Sequence, residues 1–334
     1  MKSDAEMNTP IAIQTRNLTK HYGKNIGIKN LNLTVHKGEI FGFLGPNGAG
    51  KTTTIRLLLD LIRATSGEAT ILGHNIKTDS EFIRERIAYL PGELGVFKDW
   101  TASRTLSYLF KLYDRTVNWE KAEHLARTLN LDLHKKTREL SRGNKQKIGI
   151  ISVLAPDAEL LVLDEPTSGL DPLVNNEFYK LLLEKQKTSG CTVFLSSHQL
   201  EEVEKIAHRV GIIRQGTLVE VATVNQLKQL ALKHIELTFT SPSNAKNFAD
   251  KLPKNLVKNW TVDGARGRFL SKREDLALLM PQLSEVSFTD MNIRDSTLED
   301  IFLEYYGAAS NGKQANTPKK GFCRYGEKKG RWFK

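Results

Sequence analysis

Nowhere in the 334 residues is there the run of roughly 18 apolar residues that a helix needs to cross a bilayer. The chain is therefore not expected to span a membrane. Cysteine is scarce: Cys191 and Cys323 lie far apart, with no spacing that suits a metal. That pattern excludes a disulfide-built scaffold and fits a cytosolic chain. Met1 to Pro10 is polar and carries acids, so no secretory signal is expected there. Zinc-finger spacings, RNA-recognition signatures and internal repeats are also missing.

Acidic charge is in deficit, with a formal net charge of +11, but the excess is local. From Asn311 to Lys334 eight basic residues face one acid, Glu327, so that stretch carries +7 and leaves +4 for the rest. A mildly basic body gives no reason to expect nucleic acid as a partner. The tail, residues 309–334, is rich in Asn, Gly and Lys and ends in Arg331-Trp332-Phe333-Lys334. It reads first as disordered and solvated. The alternative is a weak contact with anionic lipid, in which each basic residue contributes about 1 kcal/mol.

What is present is concentrated. Gly45-Pro46-Asn47-Gly48-Ala49-Gly50-Lys51-Thr52 fits the phosphate-loop pattern G-x-x-x-x-G-K-[ST]. Its glycines let successive backbone N–H groups converge on phosphate oxygens. Lys51 can reach the terminal phosphates, and the Thr52 hydroxyl can ligate Mg²⁺. The apolar segment Glu39 to Leu44 before the loop reads as a strand. Ile55, Leu58, Leu59 and Ile62 after it form the stripe of a helix. Strand, loop and helix N-terminus together make an anion site.

Further on, Glu159-Leu160-Leu161-Val162-Leu163-Asp164-Glu165-Pro166 is an apolar run ending in two acids. Such a run fits a central parallel strand, and acids at its carboxyl end stand where ligands bind in such sheets. Asp164 is placed to hold Mg²⁺ and Glu165 to take a proton from an attacking water. Thr192 to Leu195 reads as another buried strand. Ser196 and Gln199 then fit a capping box, which would put His198 in the first turn of a helix. At that positive end a neutral imidazole could donate one hydrogen bond to phosphate.

Between loop and acids lies Leu140-Ser141-Arg142-Gly143-Asn144, and after them come Ser168-Gly169-Leu170-Asp171 and His198. In this order the motifs resemble the nucleotide-binding subunits of ABC transporters, over about residues 10 to 308. The family carries L-S-G-G-Q where this chain has L-S-R-G-N. Ser141 and Gly143, which would touch phosphate, are kept. The changes at Arg142 and Asn144 look like those of single-domain exporters of the drug- and antibiotic-resistance branch.

The resemblance implies an α/β fold: a P-loop NTPase ABC ATPase core with antiparallel β and helical subdomains, plus a small α+β C-terminal domain. It implies ATP and Mg²⁺ as cofactors. The nucleotide would be held by residues 45–52, by Thr53, and by Tyr22 stacked on adenine. Ser141 and Gly143 would come from a second copy of the chain, so that a homodimer buries two ATP molecules. His198 would contact the terminal phosphate and join Glu165 and Lys51 as the catalytic set. A separate membrane permease would hold the chain at the cytoplasmic face of the membrane and convert dimer closing into export. One motif departs: Gly92 stands where the family has a Gln that senses Mg²⁺, with Glu93 beside it. Either Glu93 joins Thr52 and Asp164 as a metal-side ligand, or phosphate sensing is looser.

Other classes stay in view. A soluble family member working on ribosomes or DNA would bring a second cassette or long coiled coils, which this sequence lacks. A nucleotide-gated regulator that does not drive transport is the non-enzymatic alternative. Asn144-Lys145-Gln146-Lys147 begins like the guanine-reading N-K-x-D but lacks its acid.

The expected layout is an ATPase domain over 10–222, with a helical subdomain at about 80–156, and an accessory domain over 223–308. In the latter, a strand at Ile235 to Phe239, a helix at Asn244 to Leu252 and strands at Val257 to Val262 and Gly267 to Leu270 are read. A helix at Arg273 to Leu279, a strand near Val286 to Ile293 and a helix from Ser296 follow. The order βαββαβ suggests a small ferredoxin-like unit.

Overall fold

The structure, a computed structural model, describes residues 10–112, 117–226, 232–251, 253, 255–284 and 287–295. The helix expected from Ser296 and the basic tail lie outside the described residues. By contacts the chain divides into two units, Met1–Leu230 and Ala231–Lys334. Among the described residues no helix is long and apolar enough to cross a membrane.

Three strands of the first unit are buried along their whole length: β3 (Ile40–Leu44), β7 (Leu160–Asp164) and β8 (Thr192–Ser197). Strands without polar alternation suit a parallel sheet covered on both faces. They pair in parallel, β3 with β8 and β8 with β7, and β6 (Ile87–Leu90) extends the sheet beside β7. On the far side of β3 come β9 (Arg209–Arg214), parallel, and β10 (Thr217–Thr223), antiparallel, giving the order β10-β9-β3-β8-β7-β6.

A second, antiparallel sheet has the order β2-β1-β4-β5, from β1 (Ile11–Tyr22), β2 (Asn25–His36), β4 (Ser66–Ile71) and β5 (His74–Asn75). Helix α1 (Lys51–Leu58) places Ile55 and Leu58 in one core with Phe41, Phe43 and Phe194 of the parallel sheet and Ile13, Leu31 and Ile71 of the antiparallel one. Each such side chain contributes about 1.5–3 kcal/mol by leaving water. Helices α2 (Ser80–Arg86), α3 (Ala102–Leu112), α4 (Trp119–Thr128), α5 (Arg142–Leu154), α6 (Pro172–Ser189) and α7 (Leu200–Ile206) complete the unit.

Register places the site. Leu44 lies opposite Ser197, and Asp164 opposite Ser196. The three carboxyl ends therefore finish side by side, and the segments starting at Gly45, Glu165 and His198 leave from one edge of the sheet. This is where parallel α/β sheets bind ligands.

Four details differ from the sequence reading. Helix α1 stops at Leu58, so Ile62 lies beyond it and packs on the core from a turn. Within 80–156, Ile87–Leu90 is a strand of the main sheet, because Ile87 and Ala88 are buried against Leu160 and Leu161. The β9–β10 hairpin was not foreseen; Gln215 (φ 49°) and Gly216 (φ 76°) turn it. The capping box does not form: α7 starts at Leu200, its N-cap Gln199 has no side-chain cap bond, and His198 precedes the helix.

The second unit runs β11 (Lys233–Phe239), α8 (Pro242–Lys251), β12 (Lys258–Asp263), β13 (Arg266–Ser271), α9 (Leu276–Ser284) and β14 (Phe288–Asp295). Its antiparallel sheet has the order β12-β13-β11-β14. Ile235, Leu237 and Phe239 alternate onto a core with Phe248, Phe269, Leu279 and Leu283, while Glu236 on the other face pairs with Arg268 at 3.1 Å. The β12–β13 turn is Gly264-Ala265, with Gly264 at φ 60°. Helix α9 starts later than read and continues through Pro281.

Candidate functional site

The loop after β3 leaves the core at once, with Pro46, Asn47 and Gly48 exposed and Ala49 and Lys51 buried. Two of its glycines are required by space as well as by flexibility. A Cβ on Gly45 would stand 2.4 Å from the carbonyl oxygen of Ile213, and Gly50 has φ 111° with the Gly27 carbonyl 2.8 Å from where a Cβ would lie. The loop thus runs against the β9 end, and its open tip presents backbone to solvent.

Lys51, 5% exposed, points back under the loop. Its ammonium donates to the carbonyls of Gly45 at 2.7 Å and Pro46 at 3.2 Å, and pairs with Glu165 Oε1 at 3.3 Å. The other oxygen of Glu165 lies 3.3 Å from His198 Nδ1. Thr52 Oγ1 donates to Asp164 Oδ2 at 2.9 Å. Lys51, Thr52, Asp164, Glu165 and His198 come from three separated segments and meet at one sheet edge.

Ser196 organises this edge, a task that sequence spacing did not reveal. Its Oγ donates to Asp164 Oδ1 at 2.5 Å and accepts from the Glu165 N–H at 3.1 Å. Glu165 needs that support, because its φ of 46° is left-handed and uncommon for a residue with a side chain. Such a conformation costs on the order of 1 kcal/mol and turns the chain sharply as it leaves β7. The hydroxyl read as a helix cap serves the Asp164 carboxylate and the Glu165 N–H instead, because the adjacent strand supplies a stronger, charged acceptor.

Glu93 lines a cleft of about 560 Å³ with Thr52, Arg56, Tyr89, Gly92 and Asp164. A Cβ on Gly92 would lie 3.4 Å from the Asp164 carbonyl, an ordinary contact, so the position next to Asp164 has room for a side chain. Tyr22 ends β1 at the hairpin tip and is 46% exposed. Gly27 sits between its ring and Thr53: a Cβ there would be 2.8 Å from Tyr22 Cε2 and 3.1 Å from Thr53 Cγ2. The exposed ring therefore stands beside the start of α1.

Ser141 and Gly143 have other neighbours. Ser141 is the N-cap of α5, its hydroxyl accepting from the Asn144 N–H at 3.2 Å. Gly143 packs so closely on the next loop that a Cβ would be 2.6 Å from the Gly169 carbonyl. Arg142 Nη2 donates to Ser168 Oγ at 3.2 Å, and Gln146 Nε2 to the Pro166 carbonyl at 3.0 Å. The helix start is tied to the 166–169 segment, not to the phosphate loop. Asp171 caps α6 by accepting from the N–H groups of Leu173 and Val174.

Fold and site together define a phosphate-loop nucleoside triphosphatase of the parallel-sheet class, with acids and a histidine at the edge that receives the loop. The family model for ABC transporters matches residues 28–168. A bacitracin transport ATP-binding protein of Bacillus licheniformis is 38% identical over 238 residues, covering 70% of this chain and 76% of that protein. Its Enterococcus faecalis counterpart is 32% identical over 304 residues, covering 88% and 96%. A solved ATP-binding subunit of an ABC transporter superposes with a TM-score of 0.59 at 25% identity, covering 65% of this chain and 92% of that one. A dimeric ATP-binding cassette bound to ADP and Pi shares the fold, with a TM-score of 0.58 at 23% identity. The chain belongs to the ATP-binding subunits of ABC transporters, and it is an ATPase.

Proposed function

We propose that this chain powers an antibiotic exporter by closing as a homodimer around two ATP molecules and hydrolysing them. The observation that carries the reading is Glu165 held between Lys51 and His198, each at 3.3 Å, beside the Thr52–Asp164 pair. Lys51 exchanges its contact with Glu165 for the terminal phosphate, which frees the carboxylate to accept the proton of the attacking water. His198, exposed beside Glu165, donates a hydrogen bond to the same phosphate. Tyr22 offers its open face to the adenine, and Thr53 lies beneath it.

Thr52 and Asp164 fit Mg²⁺: both are oxygen donors, they touch, and two protein oxygens suffice when phosphates supply others. When bound, the ion neutralises phosphate charge. Glu93, lining the same cleft as Thr52 and Asp164, would supply a further carboxylate on the metal side in place of the Gln absent at position 92.

Ser141 and Gly143 serve the partner's nucleotide. Their ties to the 166–169 segment leave the exposed N-terminus of α5 free to meet a phosphate from a second copy, where unpaired N–H groups favour it. A separate permease carries the membrane-spanning path and holds the subunit at the cytoplasmic face. The relatives named for bacitracin transport support an antibiotic as cargo. The second unit, with its βαββαβ order, is a ferredoxin-like accessory domain.

The test is co-purification from membranes with a permease polypeptide, followed by steady-state ATP turnover with and without it. The proposal expects a bound permease that changes the turnover rate. A chain that turns over ATP but never associates with membrane protein contradicts it. In the same assay Glu93→Ala is expected to lower turnover several-fold and raise the Mg²⁺ concentration required; unchanged turnover and Mg²⁺ dependence remove Glu93 from the metal side.

A further inference from the structure

A second carboxylate behind the site has no part in the chemistry above. Glu202, on α7, is 9% exposed. Its Oε2 accepts from Thr167 Oγ1 at 2.8 Å and from Ser197 Oγ at 3.1 Å. The buried Tyr179 hydroxyl stands beside Glu202 and Thr167 without a well-aligned bond to either; burial, and then the Glu202 charge, push its pKa up. A carboxylate withdrawn from water onto neutral hydroxyls is a destabilising way to fill a core position. What it joins explains its presence.

Thr167 follows Glu165 by two positions, and Ser197 immediately precedes His198. Strand register fixes where these two segments leave the sheet, at Asp164 and Ser197, but not where they go afterwards. Beyond the sheet the Glu165 segment is tied on one side to α5, through Gln146 and the Pro166 carbonyl. On the other side its tie is Thr167 to Glu202. Ser197 Oγ also engages Gln199, accepting from its N–H at 2.9 Å and facing its carbonyl at 3.1 Å, so its one proton is shared between that carbonyl and the charged Glu202, the stronger acceptor; this shapes the turn that carries His198.

We propose that Glu202 is a positioning residue: by holding Thr167 and Ser197 on one oxygen, it fixes Glu165 relative to His198. The inference rests on the roles given to those two residues. Their contact is 3.3 Å, and displacements of about 1 Å at a reacting centre can cost about 10²-fold in rate. The hydrogen bonds of Glu202 run to Thr167 and Ser197 and not to the phosphate loop, so its loss should spare ATP binding.

The experiment is steady-state ATP turnover by the full chain. Glu202→Ala is expected to lower kcat about tenfold and leave KM for ATP within about twofold. Glu202→Gln keeps an acceptor oxygen and should return most of kcat. Thr167→Val removes one donor without emptying a core position; it should lower kcat alone and add nothing to Glu202→Ala, as coupled partners do. Wild-type kcat in Glu202→Ala overturns the proposal. So does a KM that rises as kcat falls, or a Glu202→Gln as impaired as the alanine variant. If the alanine variant does not fold, Thr167→Val gives the same kcat-against-KM reading. These failures leave the outcome of Glu165→Gln untouched, so the positioning role and the catalytic assignment fail separately.

Discussion

Replacing Glu165 with Gln is expected to lower ATP turnover by about 10²–10⁴-fold, the usual contribution of a positioned base, while ATP still binds. The amide has the shape of the carboxylate and can keep a contact to the Lys51 ammonium through its oxygen. The backbone bond from Glu165 N–H to Ser196 Oγ is unaffected. What is lost is the ability to accept a proton. If, as proposed, the closed pair opens only after hydrolysis removes the phosphate that links its halves, the variant should accumulate as an ATP-bound dimer. Turnover at the wild-type rate would remove Glu165 from the role of base. Slow turnover without a dimer would separate hydrolysis from closing.

Asp164→Asn is expected to reduce turnover about 10²-fold at ordinary Mg²⁺, with partial recovery as Mg²⁺ is raised, since disturbing a ligand or its supports typically costs 10–100-fold in metal affinity. Asp164 is 3% exposed and accepts from Thr52 through one oxygen and from Ser196 through the other. An amide can accept on one side only. If its NH₂ faces Ser196, that hydroxyl keeps the Glu165 N–H but loses the charged acceptor for its own proton, which had fixed its orientation. If the NH₂ faces Thr52, the metal side loses an oxygen. Either orientation also removes the negative charge that favours a cation. Initial rates against Mg²⁺ concentration check this, and a variant with the wild-type Mg²⁺ profile would contradict the assignment.

Much of this site could be read from the sequence because its chemistry is contiguous. Gly45 to Thr52 and Asp164-Glu165 each sit at the end of an apolar run, and a fully apolar run is itself a signature of a central parallel strand. What stayed hidden depends on tertiary competition. Ser196 and Gln199 have capping-box spacing, but no local pattern shows that Asp164, 32 positions away, takes the hydroxyl. Glu202 meets Thr167 across 35 positions and looks like one more helix acid. The strand Ile87–Leu90 before Gly92 is implied only by the family resemblance, because a four-residue run cannot be told from a helix by periodicity. The β9–β10 hairpin did carry a local signal: Gln215-Gly216 adopts two positive φ values, the two-residue turn that suits right-twisted strands, but glutamine is not a usual first residue there.

The central claim is that residues 45–52 of one chain and 141–143 of another complete one site. Mixing two inactive variants tests it directly. Lys51→Ala disables the phosphate loop, and Ser141→Arg places a bulky side chain where the partner's phosphate would dock. In a mixed dimer one site carries both defects, and the other joins an intact loop to an intact Ser141. The account predicts that ATP turnover by the mixture rises well above that of either variant alone. A mixture as inactive as its components, although mixed dimers are detected, would contradict it.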